Sequence, residues 1–382
     1  MIKKLGTAIS EYSVRNKLDE EIPVYSVTNE QGFCTGYFSK DVASKDRTTY
    51  KIVPYGYFAY NPSRINVGSV DWQHSEERVI VSPLYVVFGV DESVDKRYLL
   101  HYLKSDIARM LIKNYASGSV RDNLKLSTLM EFPFNFRSLE EQKEIANVLD
   151  KIDYLIGVQK QRMDYFDRLV KSRFIELFGD PVSATKEEKV ELLELCEKIT
   201  DGEHGSVARI SEGHPFLNAK HILKNGNIDW DTITFIGELE HQRIYKRCNP
   251  EPGDILLTTT GTIGNVAIMP ECEEVSMDRG ITLLKINHEK VTSEFVAELL
   301  RQDSVQIEMR ANVHASAIGH LFMNKVKKLP AILPAMDRQM EFTKFVKQTD
   351  KSKYYSQKFL TLCRLAVNIY EQEWMKCQTL NF

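Results

Sequence analysis

The sequence predicts an α+β protein: two mixed α/β globular domains separated by two long antiparallel helices that form a coiled-coil spacer, built as a pseudo-twofold repeat. Three observations lead there. One segment occurs twice at wide separation, two long stretches keep a helical apolar seam, and each is preceded by strand-like runs broken by turns.

The duplicated segment is SLEEQKEIANVLDKID at 138–153, matched by AMDRQMEFTKFVKQTD at 335–350. At an offset of 197 positions Gln142 falls on Gln339, Ile145 on Phe342, Val148 on Phe345 and Asp153 on Asp350. The same offset places Leu124, Phe132 and Pro133 on Leu321, Leu329 and Pro330. A period near half the chain, with no shorter one inside it, means two copies of one large module and not a solenoid. Two equivalent halves suit a protein that reads or bridges two things at once.

The helices follow from side-chain spacing. From about 139 to 178, Ile145, Leu149, Ile152, Ile156, Met163, Phe166, Val170 and Leu177 recur at steps of three and four, with interruptions at Gln159 and Arg173. Ser138 and Glu141 form a capping box at the start, and Gly179-Asp180-Pro181 stops the helix. Such a helix spans roughly 60 Å. The offset carries the seam to a second helix from about 337 to 376, through Phe342, Val346, Thr349, Lys353, Ser356, Leu360, Cys363, Val367, Tyr370 and Trp374. Its middle is polar, so antiparallel pairing with the first helix is needed to supply an apolar partner.

The globular parts read as mixtures. In the first, 23–27, 55–60 and 79–90 are strand-like, the last rich in β-branched residues. Helices are expected at 5–15 and 97–116, the latter with Leu99, Leu103, Ile107 and Leu111 on one stripe. In the second, a short helix at 192–199 leads into strand-like runs at 254–260 and 280–286 and a helix at 293–309. The resulting division is 1–136, globular; 137–180, helix; 181–334, globular; 335–382, helix.

Bulk properties narrow the class. Hydrophobic content of 43% with 27% charged residues is that of a soluble globular chain. No apolar run is long enough to cross a bilayer, and MIKKLGTAIS lacks a signal-peptide core, so a cytoplasmic protein without membrane contact is expected. Six scattered cysteines without Cys-x-x-Cys spacing fit a reducing compartment and argue against a disulfide framework or structural zinc. A net charge of −3 means that any nucleic-acid surface has to be a local basic patch.

Catalytic signatures are missing. A DNA adenine methyltransferase needs an Asp/Asn-Pro-Pro-aromatic loop, and the nearest string, Asn61-Pro62-Ser63-Arg64, lacks the second proline and the aromatic. There is no Gly-Lys-Ser/Thr phosphate loop, and Gly261-Thr262-Ile263-Gly264 is too short for a dinucleotide fingerprint. Acid-x-Lys strings such as Glu187-Glu188-Lys189 arise by chance in a charged chain, and no His/Asp/Glu set has metal-ligand spacing. The chain is expected not to be an enzyme and to bind no metal.

Polar, turn-rich segments occupy matching places in both halves. Residues 58–69 read FAYNPSRINVGS and 256–265 read LLTTTGTIGN, each an apolar strand that breaks into polar residues and glycine. Asn61, Ser63, Arg64 and Asn66 in the first, with Thr259, Thr260 and Thr262 in the second, suit hydrogen bonding to base edges and phosphates. An ordinary hairpin loop has the same composition; recurrence in both halves is what points to binding. A second pair follows each framing helix: ASGSVRDN at 116–123, with Ser117, Ser119, Arg121 and Asn123, and NVHASAIG at 312–319, with His314 and Ser316. Arg121 aligns with Ile318, so the two copies are expected to read differently. The second half adds His204 within TDGEHG, Lys220 and Arg279, each of which also suits an ordinary turn or surface position.

Taken in order, YKIVPYGYFAYNPSRINVGS (50–69), ASGSVRDNLKLSTLMEFPF (116–134), SLEEQKEIANVLDKID, LFGDP (177–181), DGEHG, GDILLTTTGTIGNVAI (253–268) and AMDRQMEF extend over almost the whole chain. In this order they resemble the specificity subunit of type I restriction-modification enzymes. The most specific element is the Glu-Gln pair that opens a long helix after a Phe-Pro. The resemblance implies two target-recognition domains and two helical regions, with no catalytic site and no cofactor in this chain. Each domain is then expected to dock in the major groove over one half of a split double-stranded DNA site, the helices setting the unread spacer. Two methyltransferase subunits bound to the helices would bring S-adenosylmethionine and methylate adenine N6. Restriction subunits, acting as translocase and nuclease with ATP and Mg, would complete the enzyme. The Leu-x-Glu-Gln start, intact at 139–142, is Met-Asp-Arg-Gln at 336–339. The first domain begins almost at Met1, so the N-terminal extension that closes a circular arrangement in the family is expected to be short. The rival reading from another class is a coiled-coil scaffold with two protein-binding heads.

Overall fold

The computed structural model describes residues 1–36, 47–116, 123–186, 188–313 and 319–376. Ser117, Ser119, Arg121, His314 and Ser316, with the side chain of Trp374, lie outside the described residues. The chain forms two compact units, residues 1–159 with 358–382 and residues 160–357, so each holds one globular module and part of each long helix.

The first unit begins with β1 (Ile2–Lys4), β2 (Ile9–Glu11), β3 (Ser26–Thr28), β4 (Gly32–Cys34), β5 (Lys51–Pro54) and β6 (Phe58–Tyr60). After β7 (Val70–Trp72), β8 (Arg78–Val81) and β9 (Val86–Val90) come helices α1 (Lys96–Lys104), α2 (Asp106–Ala116) and α3 (Leu126–Met130), then β10 (Pro133–Asn135) and α4 (Leu139–Phe178). An antiparallel sheet in the order β2-β9-β6-β7 is the centre. Successive side chains of a strand face opposite ways. Phe58, Tyr60 and Phe88 therefore pack against Tyr98, Leu99 and Leu103, while Ala59 and Val87 meet Val53, Val79 and Val81 on the other face. β1 closes the module by pairing antiparallel with β10, Ile2 opposite Asn135.

The second unit holds β11 (Lys189–Glu191), β12 (Cys196–Asp201), β13 (His214–Leu217), β14 (Thr234–Ile236), α5 (Glu238–Tyr245), β15 (Ile255–Thr258), β16 (Val266–Ile268), β17 (Ser276–Met277) and β18 (Ile281–Ile286). It continues with α6 (Ser293–Arg301), α7 (Asp303–Ala311), α8 (Met323–Lys327), β19 (Pro330–Ile332) and α9 (Met336–Lys376). The sheet β12-β18-β15-β16 copies the first strand for strand, and β11 pairs with β19 as β1 does with β10. At the offset of 197, α6 coincides with α1 from first residue to last, α8 with α3 and β19 with β10. The modules differ in what lies between their first and last framework strands. The first inserts the hairpin β3–β4 and the antiparallel pair β5–β8; the second inserts α5 and a sheet β14-β13-β17 whose β13–β17 pair is parallel.

Three expectations need correction. The helix expected at 5–15 is a 3-10 turn, Leu5–Thr7, followed by β2, whose Ile9 lies opposite Val90. The helix expected at 192–199 resolves in the same way into a 3-10 turn, Leu192–Leu195, and β12. In both, an open sheet edge captured a segment whose apolar spacing alone fits a helix. The helices expected at 97–116 and 293–309 are each broken once, at Ser105 and Gln302, both extended with ψ of 159° and 140°. The Ser105 hydroxyl accepts from the Ala108 amide at 3.1 Å, capping α2.

The long helices meet expectation. Ser138 and Glu141 exchange the capping-box bonds at 3.0 and 3.2 Å, and Gly179, with φ of +77°, ends α4 through its amide on the Ile175 carbonyl. In the first unit Ile145 and Leu149 pack in one core with Val367 and Tyr370, and Leu360 and Cys363 are buried. In the second, Phe174, Phe178, Phe295 and Phe342 form an aromatic knot with centroids 5.1–5.6 Å apart. There Asp167 pairs with Lys353 and Arg173 with Glu341, so the helices run antiparallel. Ile152, Ile156, Met163, Phe166 and Val346 all lie on the shielded face. Phe174, fully buried, sits outside the seam read from the sequence. Among the described residues no helix is long and apolar enough to cross a membrane.

Candidate nucleic-acid interface

In the first module, strand β6 is fully buried and delivers the chain into the loop 61–69. The Asn61 carboxamide oxygen accepts from the Ser63 amide at 3.1 Å and its hydroxyl at 2.9 Å, an Asx turn that spends both side chains on holding the loop. Gly68 adopts φ of +92°, a conformation that strains any residue with a Cβ. Arg64 and Asn66 are exposed, free to meet a ligand. The Leu124 amide donates to the Pro62 carbonyl at 3.1 Å, which brings exposed Asn123 beside this loop. Below it the Tyr60 hydroxyl donates to the Leu124 carbonyl at 3.0 Å, and burial pushes that phenol well above its ordinary pKa. The β3–β4 turn walls the other side, leaving a cavity of about 600 Å³ lined by residues of both loops.

The second module repeats the arrangement with other side chains. The Leu321 amide donates to the Thr259 carbonyl at 2.9 Å, the counterpart of the Leu124–Pro62 bond. Thr259 itself is a correction: it is 1% exposed, and its hydroxyl lies 3.3 Å from that of Thr282 within the sheet, so it supports the loop and cannot touch a ligand. The Thr260 hydroxyl bonds His320 Nδ1 at 2.7 Å. Thr262 is exposed, with its hydroxyl 3.5 Å from the Ala219 carbonyl, next to exposed Lys220. Gly280 packs on Ala219, and the Arg279 amide donates to the Glu203 carbonyl at 2.9 Å. This draws Arg279 and His204 into the neighbourhood of Lys220 and Thr262. His204 is tied to Asp201 at 2.8 Å.

Charge in this second face is mixed and locally organised. The Glu203 carboxyl is held below its usual range, first by the Gly205 amide and then by Arg243. Burial raises the Asp278 carboxyl, against the pull of the Gly280 amide and then of the cations Arg209 and Arg279. Arg209, stacked 4.1 Å from the Phe216 ring centre, is a member of the cluster that sequence reasoning missed. A lone arginine in a loop carries no sequence signal. His320 was legible, because it lies 197 positions after Asn123.

These features define a class: a protein that sets two unlike polar faces on two copies of one framework. The chain belongs to the type I restriction modification DNA specificity domain family, whose model matches residues 3–164 and 197–358, and its role is recognition of a DNA target. It is 23% identical over 334 residues to the Methanocaldococcus jannaschii chain named as the MjaX specificity subunit of a type I restriction enzyme, covering 82% of this chain and 76% of that one. To the EcoBI specificity subunit of Escherichia coli it is 22% identical over 351 residues, covering 81% and 71%. A chain from a solved type I R-M system shares the fold at a TM-score of 0.55 and 14% identity, over 98% of this chain and 96% of its own.

Proposed function

We propose that each module reads one half of a bipartite double-stranded DNA site, and that the chain directs adenine methylation and restriction performed by partner subunits. The observation that carries this reading is the pairing of a common framework with dissimilar loops. The bonds Leu124–Pro62 and Leu321–Thr259 hold the same two loops together in both modules, while Arg64 and Asn66 face out in one and Lys220, Thr262 and Arg279 in the other. A shared scaffold with different polar side chains gives two readers of different sequence.

The long helices supply the surface for partners. In the first unit Tyr154, at 72% exposure, lies on α4, and Leu362 and Ile369, at 58% and 57%, lie on α9. In the second, Tyr165, Leu169, Tyr354 and Tyr355 are similarly open. Exposed apolar side chains of this density suit docking of other proteins. Two modification subunits, carrying S-adenosylmethionine, would cover them, and restriction subunits with ATP and Mg would join that assembly in the cytoplasm. This chain would contribute no catalytic group. Mapping methylated adenines in cells with and without the gene tests the reading: a two-part methylation motif that vanishes with the gene supports it, and an unchanged methylome refutes it. A protein scaffold would bind duplex DNA weakly or with little salt dependence, whereas a DNA reader loses affinity steeply as salt rises.

A further inference from the structure

The loop 61–69 does not form its cavity alone. The turn between β3 and β4 supplies the facing wall, some 35 residues earlier in the chain, and it has no counterpart in the framework shared by the two modules. Its tip is Asn29-Glu30-Gln31, three consecutive exposed residues. The surrounding stretch 26–34 contains no lysine or arginine.

The tip is held firmly. The Thr28 hydroxyl accepts from the Gln31 amide at 3.1 Å, and Asp71 of the framework sheet accepts from the Phe33 amide at 3.1 Å. Gly32, with φ of +62°, backs directly onto the Asp71 carboxylate, where a Cβ would collide. Gly68 makes the same kind of close approach to the Asn29 carboxamide oxygen, so the hairpin tip packs directly on the 61–69 loop. Glu30 and Gln31 are left projecting beside Arg64 and Asn66 at the same cavity.

We propose that Glu30 and Gln31 read base edges in the first half-site, through exocyclic amino groups; this rests on the DNA-reading role proposed above. The chemistry follows from charge. A carboxylate presented to a phosphate backbone is repelled, so it is tolerated on a DNA-facing tip where it accepts from a base amino group, cytosine N4 above all. A glutamine at the next position can accept from adenine N6 and donate to N7. With no cation, the tip adds selectivity and no counterion release.

The test is selection from a randomised duplex library by the full chain in its complex, comparing wild type with Glu30→Ala, Gln31→Ala, the near-isosteric Glu30→Gln and Arg64→Ala. The expected result is a two-part motif for wild type. The tip variants should lose about tenfold of the preference at one or two base pairs of one part, as for a removed base contact. Their salt slope should match wild type, while Arg64→Ala should lower it by about one. Tip variants that select the wild-type motif overturn this inference and leave the DNA-reading role standing. Variants that weaken all sequences equally and flatten the salt slope also overturn it, since they mark a backbone contact. A wild-type complex that selects no motif overturns the DNA-reading role itself, and this inference with it.

Discussion

Gln142 and Gln339 make the same three hydrogen bonds in the two units. The Gln142 carboxamide oxygen accepts from the Asp95 amide at 2.9 Å, and its nitrogen donates to the carbonyls of Ser93 at 2.9 Å and Arg137 at 3.0 Å. Gln339 accepts from the Thr292 amide at 3.0 Å and donates to Lys290 and Pro334, each at 2.9 Å. Every partner is displaced by the same 197 positions, and both glutamines are 0% exposed. The residues they hold, Asp95 and Thr292, are the N-caps of α1 and α6. Each glutamine therefore locks the start of a long helix to the start of the helix that frames its module. This explains why glutamine persists where its neighbour changes. Glu141 serves the capping box with Ser138, whereas Arg338 instead reaches the Leu177 carbonyl and the Phe178 ring.

Gln142→Ala and Gln339→Ala should each destabilise the protein by about 3 kcal/mol, because one amide and two carbonyls lose their partner in a buried place. Gln→Glu at either position should not rescue, since a carboxylate cannot donate to the two carbonyls. Urea unfolding of the four variants checks this; a loss under about 1 kcal/mol in all four would show that the locks are dispensable.

Arg64 and Arg279 lie on different modules and are both exposed. Arg64→Ala should weaken binding through one half of the DNA site only, and Arg279→Ala through the other. Binding to duplexes carrying each half separately distinguishes them, and an equal loss on both halves would remove these residues from the reading faces.

Because α4 is one uninterrupted helix of 40 residues, adding a heptad to it and to α9 lengthens each by roughly 10 Å. The expected outcome in cells is a methylation motif with an altered unread spacer and both half-sites intact. An unchanged spacer by methylome sequencing contradicts a helical origin for it.

Asp278 is half-buried and its carboxyl is raised by that burial, while its Oδ1 accepts from the Gly280 amide at 2.9 Å. A carboxyl whose folded pKa exceeds its unfolded value binds protons more readily when folded, so it contributes stability that is lost as pH rises through the carboxylate range. Asp278→Asn keeps an acceptor for Gly280 and removes this titration. Its unfolding midpoint, compared with wild type between about pH 4 and pH 7, should gain on wild type as pH rises; a difference that does not change with pH would assign the titration elsewhere.

Much of the framework could be read directly. The seam of α9, transferred by offset from α4, lands on shielded positions from Phe342 to Tyr370, even through its polar middle of Thr349, Lys353 and Ser356. The candidate faces were legible in part. The two loops paired by the sequence in each half do lie side by side, but a threonine run gives no sign of which hydroxyl faces inward, and Thr259 turned toward Thr282.

What the chain determined by itself was whatever depends on near neighbours: helical periodicity, caps, stops, and the duplication that multiplies each of these signals. Tertiary structure alone decided that 9–11 and 196–201 are strands, that Gln142 and Gln339 are buried locks, and that Glu30 and Gln31 stand across a cavity from Arg64. The physical reason is that these outcomes rest on hydrogen bonds and packing between residues far apart in sequence, which local side-chain patterns do not encode.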